Sequence, residues 1–193
     1  SKSFLKYKSM VEEKYDNITL SIQEKQNGTA DAVNSAIRKK GKYSLDKTLV
    51  LYGDTPLVKK KSLIAALKKF DKNNLDLCVI SMKPNQKKNS YGKLQFVDDR
   101  LISIIEQSEI KEKNNKTNIC NSGIMIFKTK SLVNNLKLVK NDNNKKEYYL
   151  TDLVEIFSKQ NLLVDHYLIN FKETLGVNNM NDLATVNKEF QVD

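Results

Sequence analysis

The sequence is poor in several residue types, and each shortage removes a class of function. It has two cysteines, Cys78 and Cys120, neither in a metal-ligand spacing. That leaves no zinc module and no disulfide framework, and points to a reducing, cytoplasmic location. The single histidine, His166, lies in a strand pattern from Val164 to Ile169 and reads as a packed or surface residue rather than a general base. No serine–histidine–aspartate or cysteine–histidine arrangement is suggested, and no glycine-rich phosphate loop occurs. No apolar run approaches the roughly 20 residues of a membrane-spanning helix. Ser1 to Tyr7 lacks the apolar stretch of a signal peptide, so no membrane partner is expected.

Arginine is scarce relative to the charge. Lys and Arg total 33 against 23 Asp and Glu, a formal net charge of +10, yet Arg38 and Arg100 are the only arginines. Sequence-reading proteins use arginine for bidentate contacts to base edges, and single-strand binders interleave aromatics with basic residues. Here lysine pairs such as Lys39-Lys40 and Lys145-Lys146 are scattered among asparagines. A solvated surface explains them, and nucleic acid is not expected as a partner. The positive field suits anionic small molecules such as nucleotides and sugar phosphates.

What is present is enough for one domain: 193 residues, 39% of them hydrophobic, with the apolar residues in short bursts. Phe4 to Lys14 has helical spacing, and Ile18, Leu20 and Ile22 alternate as in a strand. Thr29 to Lys40 reads as a helix that Thr29 could cap. Thr48 to Tyr52 is an unbroken apolar run, the pattern of a strand buried on both faces. Ser62 to Phe70 reads as helix and Leu75 to Met82 as a second buried strand. Strands follow around Leu94 and Phe96, at Leu101 to Glu106 across a turn at Asp98-Asp99, and at Gly123 to Phe127. Helices are expected at Ser131 to Val139, Leu150 to Lys159 and Asn181 to Phe190, with a strand at Leu163 to Ile169. Such alternation predicts an α/β fold, a three-layer, mainly parallel sheet flanked by helices, with ligands at the carboxyl ends of its strands.

Six glycines are few for this length, so their positions are informative. Tyr52-Gly53-Asp54 follows the run at Thr48, placing a carboxylate at the expected ligand edge; a turn-capping aspartate explains it equally well. Gly28-Thr29 opens a helix whose N–H groups suit an anion or a base carbonyl, or form a plain cap. Tyr91-Gly92-Lys93 and Asn121-Ser122-Gly123 each precede a strand and could be simple turns. Gly176-Val177-Asn178-Asn179 ends in amides able to ligate a metal or a ligand. Taken singly, each has a structural explanation.

Taken in order they are more specific. Gln23…Gln26-Asn27-Gly28-Thr29-Ala30, Leu51 to Leu57, Tyr91-Gly92-Lys93, Ile105-Glu106-Gln107, Asn121-Ser122-Gly123, Glu147-Tyr148-Tyr149-Leu150-Thr151-Asp152 and Gly176 to Asn179 resemble one family. It is the uridyltransferase domain of the bacterial bifunctional N-acetylglucosamine-1-phosphate uridyltransferase and glucosamine-1-phosphate acetyltransferase. The resemblance covers essentially the whole chain and implies a nucleotide-diphospho-sugar transferase fold, Rossmann-like and GT-A-like. It implies transfer of UMP from UTP to N-acetylglucosamine 1-phosphate, giving UDP-N-acetylglucosamine, a peptidoglycan and lipopolysaccharide precursor, and pyrophosphate. Carried over by position, Gln23, Gly28 and Thr29 would read uracil, and Tyr52 and Gly53 would line the nucleotide and sugar site. Asp54 and Asn178 would hold Mg2+ as the catalytic pair. Gly92, Glu106 and Asn121 would contact the sugar, with Thr151 near its phosphate. In-line phosphoryl transfer needs positioning and charge neutralisation rather than a strong base, consistent with the single histidine.

The departures shape the functional expectations. The family's first βα unit, with a glycine-rich loop and an arginine for the triphosphate, has no counterpart before Phe4, and a free sheet edge is expected where that strand belongs. No counterpart of the acetyltransferase domain is expected within residues 1–193 either. The usual histidine after Gly-Thr-Ala is Asp31, the arginine after Tyr-Gly is Lys93, and a lysine beyond the glutamate is Ser108. Residues 1–193 are therefore expected to be one nucleotidyltransferase domain lacking its first unit, inactive in isolation, completed by a missing N-terminal segment or by homo-oligomerisation. The alternative is a non-catalytic nucleotide-sugar-binding or interaction module; a basic nucleic-acid-binding protein ranks last.

Overall fold

Leu77 to Met82 are buried without exception, and the longest strand, Cys120–Lys128, lies antiparallel beside them. The computed structural model describes residues 8, 10–11, 13–15, 17–40, 45–85, 90–109 and 117–192. In chain order the elements are α1 (Thr29–Lys40), β1 (Lys47–Val50), α2 (Lys60–Lys72), β2 (Leu77–Met82), β3 (Lys93–Val97) and β4 (Arg100–Ile105). They continue with β5 (Cys120–Lys128), α3 (Thr129–Asn135), α4 (Asp152–Lys159), β6 (Val164–Leu168) and α5 (Met180–Val192). Short 3-10 turns stand at Gln107–Glu109, Leu136–Leu138 and Phe171–Thr174.

The sheet order is β4-β3-β5-β2-β6, with β1 also on β5. β5 is antiparallel to β1, β2 and β3, whereas β2 and β6 are parallel and β3 and β4 form a hairpin. Thus β1, β2, β3 and β6 share one direction and β4 and β5 run against it. The expected sheet flanked by helices is present. It is mixed because β5 enters reversed at its middle, so most ladders are antiparallel although most strands point the same way.

Alternation along the strands builds the layers. Leu77, Val79, Met125 and Phe127 pack with Ala30 of α1, Leu132 of α3 and Leu153, Val154 and Phe157 of α4. Cys78, Ile80, Ile124 and Ile126 face the other way, against Ala66 and Phe70 of α2. Each fully buried side chain of this size contributes about 1.5–3 kcal/mol. Phe127 and Phe157 also meet edge to face at 6.2 Å. Neither cysteine is in a disulfide, both are fully buried, and burial pushes the Cys78 thiol up to about 12. His166 is packed: its Nδ1 lies 2.7 Å from Ser81 Oγ and its ring stands edge-on to Phe96.

Several expectations need correction. Ile18, Leu20 and Ile22 form no strand, because no described strand runs alongside to complete a ladder; Ile18 and Ile22 remain 43% and 57% exposed. β1 is not buried on both faces; its residues are half-buried or exposed and Leu51 just beyond is 49% exposed, since among the described residues only β5 pairs with it. Among the described residues no strand pairs with the other edge of β1. Thr29 caps differently than expected, its Oγ1 accepting from the Leu150 backbone N–H at 2.9 Å. The helix from Ser131 stops at Asn135 and gives way to a 3-10 turn. Of the Phe4 to Lys14 helix, Lys8, Met10, Val11, Glu13 and Lys14 are helical; its other positions, like Gly41, lie outside the described residues.

The β3–β4 hairpin is a two-residue turn, Val97 pairing with Arg100 across Asp98 and Asp99, whose φ angles are +47° and +61°. Left-handed backbone at both positions is that of a type I′ turn, which favours Asn-Gly. Asp99→Gly should raise stability by up to about 1 kcal/mol, read as a higher thermal midpoint, because the left-handed cost disappears. A lowered midpoint would contradict this account of the turn.

Candidate functional site

β1 and β3 share one edge of β5. β1 pairs with Met125–Lys128 and β3 meets Cys120, leaving the interval at Ser122–Ile124 uncovered between them. The chain leaving β1 turns over this interval as Tyr52-Gly53-Asp54, and a cleft of about 600 Å³ opens there. Its walls come from this turn, the approaches to β3 and β5, the end of β4, the loop before α4 and the start of α5.

Tyr52 lies flat on Gly123. Gly123 has φ +87°, and a Cβ built on it would fall 2.5 Å from the Tyr52 ring. Burial pushes the Tyr52 phenol up, against a hydrogen bond to the Thr29 side chain that pulls it down. Gly28 is held still more tightly: at φ +112° its Cβ would lie 2.5 Å from the Tyr148 carbonyl oxygen. Around it, the Tyr148 N–H donates to Asn27 and the Ala30 N–H to Tyr148. The start of α1 is thus bound to the loop before α4, and the Tyr148 carbonyl occupies one of its free N–H groups.

On the opposite wall, Gly92 stands where a Cβ would come within 3.1 Å of Glu106 Oε2, so its small size makes room for that carboxylate. Thr151 Oγ1 donates to Glu106 Oε1 at 2.7 Å. Asn121 is fixed by its N–H to Gly92 oxygen at 2.8 Å, and its Oδ1 accepts from the Gly123 N–H at 3.0 Å. Behind Thr151, burial together with Glu106, Glu109 and Glu155 raises the Asp152 carboxyl to about 6.

The third wall brings the chain's end to Asp54. The Val177 N–H donates to the Asp54 carbonyl at 2.8 Å. Seen from the Cβ position of Gly176, Asn178 Nδ2 and Asp54 Oδ2 lie 3.7 and 3.9 Å away, so both side chains stand beside this glycine. The Asn178 N–H donates to Asp182 Oδ2 at 2.9 Å, while Asn179 Oδ1 accepts from the Asn181 and Asp182 N–H groups. An aspartate carboxylate and an amide oxygen are the hard donors that suit a divalent cation completed by phosphate and water. Among the described residues no cluster of three or more His, Cys, Asp or Glu could hold a metal unaided.

Of the residues singled out in the sequence, Thr29, Tyr52, Asp54, Gly92, Glu106, Asn121, Thr151 and Asn178 line this one cleft. Gly53 faces the adjoining groove beside β1, with nothing within 4 Å of its Cβ position. Gln23 and Gly28 stand outside the cleft, the Gln23 amide donating to Gly28 oxygen at 3.0 Å and to Asp31 at 2.9 Å. Tyr91, Lys145, Tyr149 and Asp182, to which the sequence reading gave no site role, also line the cleft. Asp182 had a signal, an acid three residues after Asn179 at a helix start. Among the described residues, Asp54, Glu106, Glu147 and Asp182 line the cleft with Lys145 as the one cation.

A nucleotidyl transferase family model matches residues 2–189. The bifunctional protein GlmU of Thermodesulfovibrio yellowstonii is 36% identical over 174 residues, covering 89% of this chain and 37% of that protein. GlmU of Bartonella bacilliformis is 34% identical over 167 residues, 86% of this chain and 36% of its own length. The chain thus spans well under half of these relatives. Among solved structures, a nucleoside-diphosphate-sugar pyrophosphorylase from Vibrio cholerae superposes with a TM-score of 0.64 at 13% identity, covering 86% of this chain and 67% of that one. One described as a UDP-N-acetylglucosamine pyrophosphorylase from Entamoeba histolytica gives 0.65 at 16% identity, covering 88% and 53%. These structural likenesses show the fold.

Gly28 and Gly53 should differ sharply in their response to alanine. Gly28→Ala meets rigid backbone in a left-handed conformation and should cost more than about 2 kcal/mol in urea denaturation. Gly53→Ala meets open space and should stay within about 1 kcal/mol of the parent; equal costs would refute the packing described.

Asp152 gives a pH-dependent expectation. Its pKa is raised in the folded chain, so its contribution favours folding below about pH 4 and is lost as pH rises through about 6. Asp152→Asn should therefore stabilise at pH 7.5, by on the order of 1–2 kcal/mol once solvent screening is discounted, and leave stability near pH 4 unchanged. Thermal midpoints at the two pH values test it; equal shifts at both would overturn it.

Proposed function

The chain belongs to the nucleotidyl transferase family, and on that premise we propose that its cleft serves UMP transfer from UTP to N-acetylglucosamine 1-phosphate. A sugar-phosphate oxygen forms a bond to the α-phosphorus of UTP, the α–β bridging P–O bond breaks, and pyrophosphate leaves with that electron pair. The placement of Asp54 and Asn178 beside Gly176, in one cleft with Gly92, Glu106 and Asn121, is the observation that carries this reading. Relatives that are bifunctional GlmU proteins support it, as does the fold shared with sugar-nucleotide pyrophosphorylases.

Each wall then has a task. Thr29 and Tyr52 hold the nucleoside end, with Gln23 and Gly28 bracing the turn that presents Thr29. Gly92, Glu106 and Asn121 receive the acylated sugar, and Thr151 aims Glu106 at its hydroxyls. Asp54 and Asn178 are suited to Mg2+, which when bound neutralises phosphate oxygens. Gly53 leaves its neighbourhood open beside the nucleotide. On this reading the protein is a cytoplasmic, bacterial enzyme domain supplying UDP-N-acetylglucosamine. Lys145 against four carboxylates among the described lining residues supports the reading that residues 1–193 turn over little on their own. The second reading, a nucleotide-sugar-binding module, draws on the same charge balance.

Calorimetry with UDP-N-acetylglucosamine should show Mg2+-dependent binding that falls at least tenfold, about 1.4 kcal/mol, in Asp54→Ala and in Asn178→Ala. Mg2+-independent binding would overturn the metal pair. Pyrophosphate release from UTP and N-acetylglucosamine 1-phosphate separates the readings. Release by residues 1–193 at about 1 s⁻¹ or faster would overturn the proposed low turnover in isolation.

A further inference from the structure

The loop before α4 carries a lysine that the fold leaves uncommitted. Lys145 lines the cleft together with Glu106 and Glu147, yet it forms no ion pair with any of the described residues. The nearby acids are engaged by neutral donors instead. Thr151 Oγ1 donates to Glu106 Oε1 at 2.7 Å, and the Asn144 N–H donates to Glu109 Oε1 at 3.3 Å. The ammonium is thereby kept available to a ligand.

The turn that presents this lysine is held from several sides. The Lys146 N–H donates to the Asn143 carbonyl at 3.0 Å, closing a four-residue turn with Lys145 inside it, and Lys146 itself is left-handed at φ +57°. Asn143 brackets the exit: its Oδ1 accepts from the Glu147 N–H at 3.1 Å and its Nδ2 donates to the Glu147 carbonyl. Asn144 Nδ2 reaches the Ser108 carbonyl at 3.4 Å, which ties the turn to the segment just after Glu106. A backbone fixed beneath a long side chain leaves less freedom to lose when that side chain binds.

Ser108 and Tyr149 line the cleft with Lys145, and their side chains are hydrogen-bonded to each other. An ammonium with two hydroxyls on one wall suits a tetrahedral oxyanion. A phosphate entering beside Glu106 and Glu147 needs a counter-charge there. Asp54 and Asn178 come from other segments, beside Gly176, and do not belong to this turn.

We propose that Lys145 grips the phosphate of the acceptor sugar, so that this turn is an anion anchor separate from Asp54 and Asn178. The anchor lets a cleft lined by carboxylates admit a phosphate monoester, and it makes the phosphate, rather than the sugar alone, the group selected. The anchor itself follows from the turn and its lysine; naming the anion as the acceptor's phosphate rests on the transfer reading of the cleft.

The probes are N-acetylglucosamine 1-phosphate, N-acetylglucosamine and inorganic phosphate, titrated into isotope-labelled residues 1–193 and followed by amide chemical shifts. The sugar phosphate should bind at least about fivefold tighter than the sugar, with shifts at Lys145 and Ser108. Lys145→Gln, at an exposed position, should erase that preference and leave the affinity for N-acetylglucosamine unchanged. Lys146→Gln removes the same charge one residue on, outside the cleft lining, and should keep the preference. Asn143→Ala keeps the lysine but frees its turn, and should weaken sugar-phosphate binding at least about twofold with the thermal midpoint checked alongside. A preference that survives Lys145→Gln, or that Lys146→Gln removes equally, would overturn the anchor; unchanged binding in Asn143→Ala would overturn the part given to the turn. Sugar bound with no preference for its phosphate would overturn the anchor and leave the transfer reading standing. Inorganic phosphate shifting Lys145 as strongly as the sugar phosphate, with N-acetylglucosamine unbound, would support the anchor and overturn the acceptor assigned to it. No response at the turn to any of the three would overturn both.

Discussion

The site exists because one strand is longer than either neighbour on its outer edge. β5 spans Cys120–Lys128, whereas β1 covers only its far end and β3 only its beginning. The bare interval between them is where backbone hydrogen bonding would otherwise continue, and the chain fills it with an aromatic ring on a glycine instead. Tyr52 can lie there only because Gly123 has no Cβ, and the left-handed backbone at Gly123 is one that other residues adopt at a cost. Once the ring is in place, Asp54 is carried out over the edge of the sheet, and the Gly176–Asn178 segment can close against it. A conventional, fully paired edge would leave no cleft.

The three walls of the cleft are tied to one another rather than merely adjacent. Thr29 receives the Leu150 N–H, Glu106 receives the Thr151 hydroxyl, and Val177 donates to Asp54. Each bond joins segments far apart in sequence, so binding groups are set by the fold before any ligand arrives. Such preorganisation suits phosphoryl transfer, where positioning and charge do most of the catalysis. Burial of a carboxyl among other carboxylates is its cost, visible in the raised Asp152.

Much of this was legible in the sequence because the relevant signals are local. Helical spacing located α1, α2 and α5, and the apolar run at Leu77–Met82 announced a strand buried on both faces. Scarce glycines marked the turns: Gly28, Gly92, Gly123 and Gly176 each stand where a side chain would meet a neighbour or crowd the site. The reversal of β5 was not legible, because an apolar run reads the same in either direction and strand sense is fixed only by partners. The failure of Ile18 to Ile22 to become a strand has the same origin, since alternation states which face could be buried and not whether a ladder is available. Lys145 and Asp182 were hidden differently. They lie in ordinary polar stretches, and only tertiary folding brings them to the cleft.

The chain's two thiols sit at different depths of this architecture. Cys78 belongs to the sealed centre of β2, packed beneath α2, and its high pKa keeps it as an unreactive thiol. Cys120 stands at the mouth of β5, where β3 departs and the bare interval begins. Both are fully covered, so neither meets a reagent without an opening of the sheet. The protein therefore carries two internal clocks that need no added label. The rate at which Cys120 becomes reactive times the parting of β3 from β5, and the rate for Cys78 times the loss of the core itself. The interval between them measures how far the rim can loosen while the centre stays folded.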